Sequence, residues 1–259
     1  MFSKQPEIRE ITILGKNAEG TADQFSDIDI RIHSNSLLTT QQNYLRLIEK
    51  ISPILETFLL ASENDNFAQM IMLKDFSPYQ KIDFGICSGE STFKPYVSKY
   101  LNQKAKRDNS QLNVTPINNT VSYNLTNYLF GVPRMTKCLF RKDFDMYRRW
   151  KGMSNSALIL LYEKYFDFEK ETQKRELDAQ ESKKLFTKLS QADRSKLDKL
   201  FPVNGNLSLI DSFMGSLEMY IDVSKDKAKY FNERINESFV DYIRAFAKEE
   251  AKKLKSLKL

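Results

Sequence analysis

No stretch of this chain approaches the ~18 consecutive apolar residues of a membrane span. The opening residues, MFSKQPEIREITILG, contain no apolar signal core either. A soluble, cytoplasmic protein is therefore expected, with no membrane partner. Cysteine is scarce: Cys87 and Cys138 are the two present and form no CxxC, so neither a disulfide framework nor a zinc site is supported. His33 is the single histidine, which excludes HExxH and every multi-histidine metal centre. No GxSxG elbow occurs. The segment GKN is not a P-loop, because Gly15 has no glycine five residues before it and no Ser or Thr after Lys16. No internal repeat or low-complexity tract is present.

The chain does carry ample material for a core. It has 259 residues, 41% hydrophobic and 12% aromatic, enough for one large domain or two modest ones. The formal charge is +6, but much of the lysine excess lies in the tail KEEAKKLKSLKL, a pattern of solvated helix ends. Basic residues are scattered, with no aromatic-interleaved stripe of the kind that holds single strands, so no stable nucleic-acid partner is expected.

The first third alternates as an α/β unit. Glu10 to Gly15 reads as a short strand closing in a glycine turn, and AEGTADQF leaves room for one or two helical turns. Asp27 to His33 alternates strictly, with Asp27, Asp29 and Arg31 on one face and three isoleucines on the other. A helix is expected from Thr39 to Ile51, capped by Thr39 or Thr40 and burying Tyr44, Leu47, Ile48 and Ile51. Phe67 to Leu73 and Gln80 to Cys87 read as paired strands joined by KDFSPY. A polar stretch around Pro116 resembles a linker. Beyond it the pattern is helical: Val121 to Phe130, Met135 to Trp150, Asn155 to Phe168, Gln180 to Leu200, Leu207 to Val223, and a last helix from about Asn232. Pro133 is expected to kink or split the first of these. The fold class is α/β (α+β), a mixed sheet with helices followed by a helical bundle, with boundaries at 1–115 and 116–259.

Residues i and i+2 of a strand point the same way, so Asp27 and Asp29 present two carboxylates side by side. Unpaired, they repel, and a divalent cation relieves the repulsion. A third aspartate, Asp83, recurs on a later strand within KIDFGI. A bare Asp-x-Asp is more often a solvated strand face, but three acidic residues at strand ends around a glycine turn suggest a two-metal phosphoryl-transfer site.

The arrangement Leu-Gly-Lys, ten residues, Asp-Ile-Asp, and later Lys-Ile-Asp-Phe resembles the DNA polymerase β-like nucleotidyltransferase superfamily. Within it the aminoglycoside 6-nucleotidyltransferases (streptomycin adenylyltransferases) are the nearest match, then the lincosamide nucleotidyltransferases. The segment YNLTNYLFGVPRMTKCLFRKDFDMY and the helices from SLIDSF to VDYIRAF also resemble that branch. The resemblance implies Mg²⁺, in a two-metal site held by Asp27, Asp29 and Asp83, with Asp83 either a ligand or the base for the acceptor hydroxyl. It further implies ATP or another NTP at Gly15, Lys16 and Ser26, with Lys137 and Arg141 reaching across a cleft. The implied reaction is transfer of a nucleoside monophosphate to a hydroxyl of a small antibiotic, releasing pyrophosphate. A cationic acceptor would want acidic lining, for which Glu90, Asp143 and Asp145 are candidates. Two alternatives stand beside this: a protein or RNA acceptor, and a catalytically impaired nucleotide-binding module.

The last alternative turns on Lys16, where the superfamily carries serine. A serine hydroxyl donated to a phosphate contributes ~1.5–3 kcal/mol, or about ten- to hundredfold in binding. Backbone N–H groups survive the exchange and lysine adds a positive charge. Weakened or re-routed phosphate binding is expected, rather than its loss. Glu19, where many members carry arginine, is a second departure.

Overall fold

The computed structural model describes residues 2–62, 66–87, 97–101, 120–152, 191 and 208–257, with 97–101 as backbone only. The chain divides into two compact units, Met1–Asn118 and Asn119–Leu259.

The first unit is a six-stranded mixed sheet with helices, an α/β arrangement. Its strands are β1 (Ile8–Leu14), β2 (Ile28–Ser34), β3 (Ile54–Ser62), β4 (Asn66–Leu73), β5 (Ile82–Cys87) and β6 (Val97–Leu101), in the order β3-β4-β5-β2-β1-β6. β2 pairs parallel with β5, and the other pairings are antiparallel. The isoleucine face of β2 meets the core as its alternation requires: Ile32 is fully buried, and Ile28 and Ile30 pack against the same cluster. The short helix α1 (Gly15–Glu19) follows β1, and α2 (Leu37–Ile48) follows β2. α2 lays Leu37, Tyr44 and Ile48 onto that cluster. Tyr44 stacks on Phe84 at 4.9 Å and meets Phe67 edge-on at 5.4 Å. Its hydroxyl donates to Gln69, which satisfies a polar tip inside an apolar layer.

Several expectations are corrected here. α2 starts two residues before Thr39, with Ser36 at its N-cap, and ends at Ile48, which leaves Ile51 53% exposed rather than buried. β3 and β6, which the sequence pattern did not announce, form the two edges of the sheet. β3 carries two register irregularities against β4, at Ile54/Glu56 and Leu59/Ala61, and these break the period-2 signal.

The second unit packs α3 (Val121–Phe140), α4 (Leu209–Tyr230) and α5 (Glu237–Ser256) against one another, with a further helical segment at 144–152. Each start has its own cap: Thr120, Ser208 and Asn236 accept from the amides of Tyr123, Asp211 and Phe239. Glu233 reaches back to accept from the amides of Val121 and Ser122, at 3.2 and 2.8 Å, so a carboxylate also lies at the positive end of α3. Tyr128 and Tyr220 stack at 4.0 Å between α3 and α4, and Phe130 meets Phe239 at 5.3 Å.

Pro133 does not split α3. The helix runs through it to Phe140, and Thr136 Oγ donates to the carbonyls of Val132 and Pro133. The break falls instead at Lys142, in the left-handed region at φ +56°, so the expected helix from Met135 to Trp150 is two pieces. α4 continues to Tyr230, past the expected Val223, and α5 begins at Glu237, after a loop in which Asn232 has φ +55°. The expected helices 155–168 and 180–200, and most of the expected linker, lie outside the described residues. No helix among the described residues is long and apolar enough to cross a membrane.

Candidate functional site

The parallel pairing of β2 and β5 sets the site. Asp29 is the register partner of Asp83, so the two side chains stand side by side on neighbouring strands. On the other side of β2, Asp29 pairs with Leu14, the last residue of β1. The chain therefore leaves β1 directly beside the Asp29 carboxylate, and Gly15 is the residue that makes the turn. Gly15 has φ +63°, and a Cβ there would lie 2.6 Å from Asp29 Oδ2. Both facts require glycine: L-residues resist that backbone conformation, and the carboxylate occupies the space a side chain would take.

Asp27 sits one residue ahead of β2 and is fixed from two directions. Asn17 Nδ2 on α1 donates to its carbonyl at 2.7 Å. The amide of the next residue, Ile28, donates to the carbonyl of Lys81 at 3.0 Å. That second bond brings Lys81 to the carboxylates. Its ammonium donates to Asp83 Oδ1 at 2.5 Å and to Asp27 Oδ2 at 3.2 Å. The lysine side chain is only 4% exposed, whereas Asp27 and Asp83 are each about a quarter exposed. A buried ammonium survives only when paired, and here two carboxylates, one just ahead of β2 and one on β5, share it. Lys81 was legible in principle: it stands two residues before Asp83, and the same i, i+2 rule that paired Asp27 with Asp29 brings it alongside. Asn17 carried no such signal.

The other expected site residues fall as follows. Lys16 is exposed at the start of α1, and its carbonyl accepts from the amides of Gly20 and Thr21. Ser26 is buried and engaged in its own loop: its Oγ donates to Asp23 Oδ1 at 2.8 Å and accepts from the Asp23 amide at 3.0 Å. Lys137 and Arg141 belong to the second unit, Lys137 in the last turn of α3 and Arg141 at its C-cap. Asp143 accepts from the Met146 amide and so starts the segment 144–152, and Asp145 pairs with Arg148 in full solvent. Glu90 lies outside the described residues.

Among the described residues, no three His, Cys, Asp or Glu side chains stand together as a group that could hold a metal ion. Two carboxylates do converge on one cationic centre, the Lys81 ammonium. They are hard oxygen donors, one just ahead of β2 and one on β5, and the cation they share is an ammonium.

The fold and site thus define an α/β sheet unit with a cation-bridged carboxylate cluster at its strand ends, and a separate helical unit. No family model matches the chain, and no curated sequence does. Among solved structures it is similar to an aminoglycoside 6-adenyltransferase from Bacillus subtilis. The two share 12% sequence identity over 95% of this chain and 94% of that chain, at a TM-score of 0.34. At that score too little backbone superposes for the likeness to bear on function, which has to be read from the residues.

Proposed function

We propose that the carboxylate cluster of the first unit transfers a nucleoside monophosphate, AMP from ATP in the simplest case, to a hydroxyl group. One observation carries the reading. Asp29 and Asp83 are register partners on adjacent parallel strands, with the Gly15 turn against one and the cation shared with Asp27 against the other. Carboxylates gathered in this way around a positive centre suit phosphoryl transfer, which needs positioning and charge neutralisation more than covalent chemistry.

In this reading the acceptor oxygen bonds to the α-phosphorus as the bond to pyrophosphate breaks. The hydroxyl proton passes to a carboxylate, for which Asp83 is the candidate. Asp27 and Asp29 would hold Mg²⁺, completed by Asp83 where it does not serve as the base, and the ion would supply charge neutralisation at the phosphate oxygens. Gly15 keeps the chain close enough to Asp29 to fix that side chain's position, and the turn's backbone amides face the phosphates. Lys16 adds a mobile positive charge in place of a hydroxyl. Lys137 and Arg141 are further candidates for the phosphates.

The acceptor rests on the resemblance of the sequence motifs alone, which favours a small hydroxylated antibiotic such as an aminoglycoside. Incubation with ATP, Mg²⁺ and a panel of aminoglycosides and lincosamides should release pyrophosphate with at least one of them. Silence across the panel overturns the antibiotic reading. The absence of a three-ligand group among the described residues, together with Lys16, favours a second reading: a nucleotide-binding module without turnover. Pyrophosphate release decides against it.

A further inference from the structure

Among the described lysines of the first unit, Lys81 stands out in being buried, and in being buried against two carboxylates. Its ammonium bridges Asp27 and Asp83, one just ahead of β2 and the other on β5. Its backbone carbonyl holds the amide of Ile28, so neither strand end can shift without disturbing the bridge. Two negative groups that would repel each other are therefore already neutralised, by a charge covalently attached to the strand that carries one of them.

We propose that Lys81 is a built-in counter-ion that competes with the divalent cation for Asp27 and Asp83, an inference that rests on the nucleotidyl-transfer reading. A divalent ion that takes these oxygens must displace the ammonium. Once displaced, the ammonium has no carboxylate partner left in the cluster and pairs with an anion, which the triphosphate supplies. Metal and nucleotide then load together: the metal alone binds weakly because it must strand a buried positive charge, and the nucleotide removes that penalty. Lys81 is thus a positioning residue that couples the two ligands. An ion pair that merely ties two strand ends together predicts no such coupling.

The test uses the full chain, with Mn²⁺ as the probe and no nucleotide, reading free Mn²⁺ by electron paramagnetic resonance. Lys81→Met removes the competing charge at similar length. It should bind Mn²⁺ at least tenfold more tightly than the unaltered chain, and adding Asp83→Asn should abolish the gain. Equal or weaker Mn²⁺ binding by Lys81→Met overturns the proposal. Lys81→Gln carries the same expectation should the methionine variant fail to fold. If neither folds, rescue of folding by Mn²⁺ supports the proposal, and no rescue overturns it. Because nucleotide is absent, failure here leaves the transfer reaction standing. A missing pyrophosphate signal alongside a positive Mn²⁺ result overturns the transfer reading alone.

Discussion

The two units place their charges differently. In the second, the buried carboxylate of Glu250 is paired with the exposed Lys253, and many other pairs lie on the outside, as with Asp145 and Arg148, Lys225 and Glu237, and Lys252 and Glu249. Such pairs contribute about 0–1 kcal/mol each. Its interior polar groups are mostly hydroxyls, such as Tyr147 donating to the Leu209 carbonyl and Ser216 to that of Ser212. Lys227, buried on α4, has its ammonium pushed down to about 8 by desolvation. In the first unit Lys81 is buried with two carboxylates, Asp27 and Asp83, on its ammonium. The helical unit buries Lys227 and Glu250 among its described residues, whereas the strand ends bring one buried ammonium and two carboxylates to one point. A strand-end cluster that draws three charged groups together needs a reason beyond stability, since a buried ion pair is often no better than an apolar replacement.

That contrast can be broken at graded points. Asp83→Asn should reduce transfer by roughly 10²–10⁴-fold, the range for losing a catalytic acid–base group, measured as pyrophosphate release under saturating ATP and acceptor. A loss below tenfold would remove Asp83 from the chemistry. Gly15→Ala is the intermediate case. The left-handed backbone costs about 1–2 kcal/mol, and the new methyl displaces the Asp29 carboxylate. The expected outcome is a lower denaturation midpoint with a loss of turnover larger than the stability change explains. Asp145→Asn is the smallest, because its partner Arg148 is itself largely exposed. Its stability should change by less than about 0.5 kcal/mol, and turnover should stay unchanged. A large turnover effect there would move the acidic acceptor contacts into the second unit.

The parts that were legible in the sequence share a cause. β2 was readable because one face must be buried and the other must present Asp29, so the alternation is strict. β3 and β6 were not readable, because an edge strand is paired on one side only and, in β3, bulges interrupt the alternation. Pro133 does not split α3, which is buried along this stretch at Val132, Pro133 and Met135, where packing can offset the hydrogen bond and the ring clash a helix-interior proline costs. At the site, the aspartates and the glycine turn were visible as a spaced motif. Lys81 lies inside the same KIDF segment, where a lysine two residues from an aspartate has the same pattern as a solvated strand face.

The most direct measurement follows the label from ATP radiolabelled at its α-phosphate, with and without Mg²⁺, across the acceptor panel. Label is expected to move onto a small molecule, only when Mg²⁺ is present, and not in Asp83→Asn. If ATP binds equally well with and without Mg²⁺ and no label leaves it, the carboxylate cluster is not a transfer site and the account is contradicted.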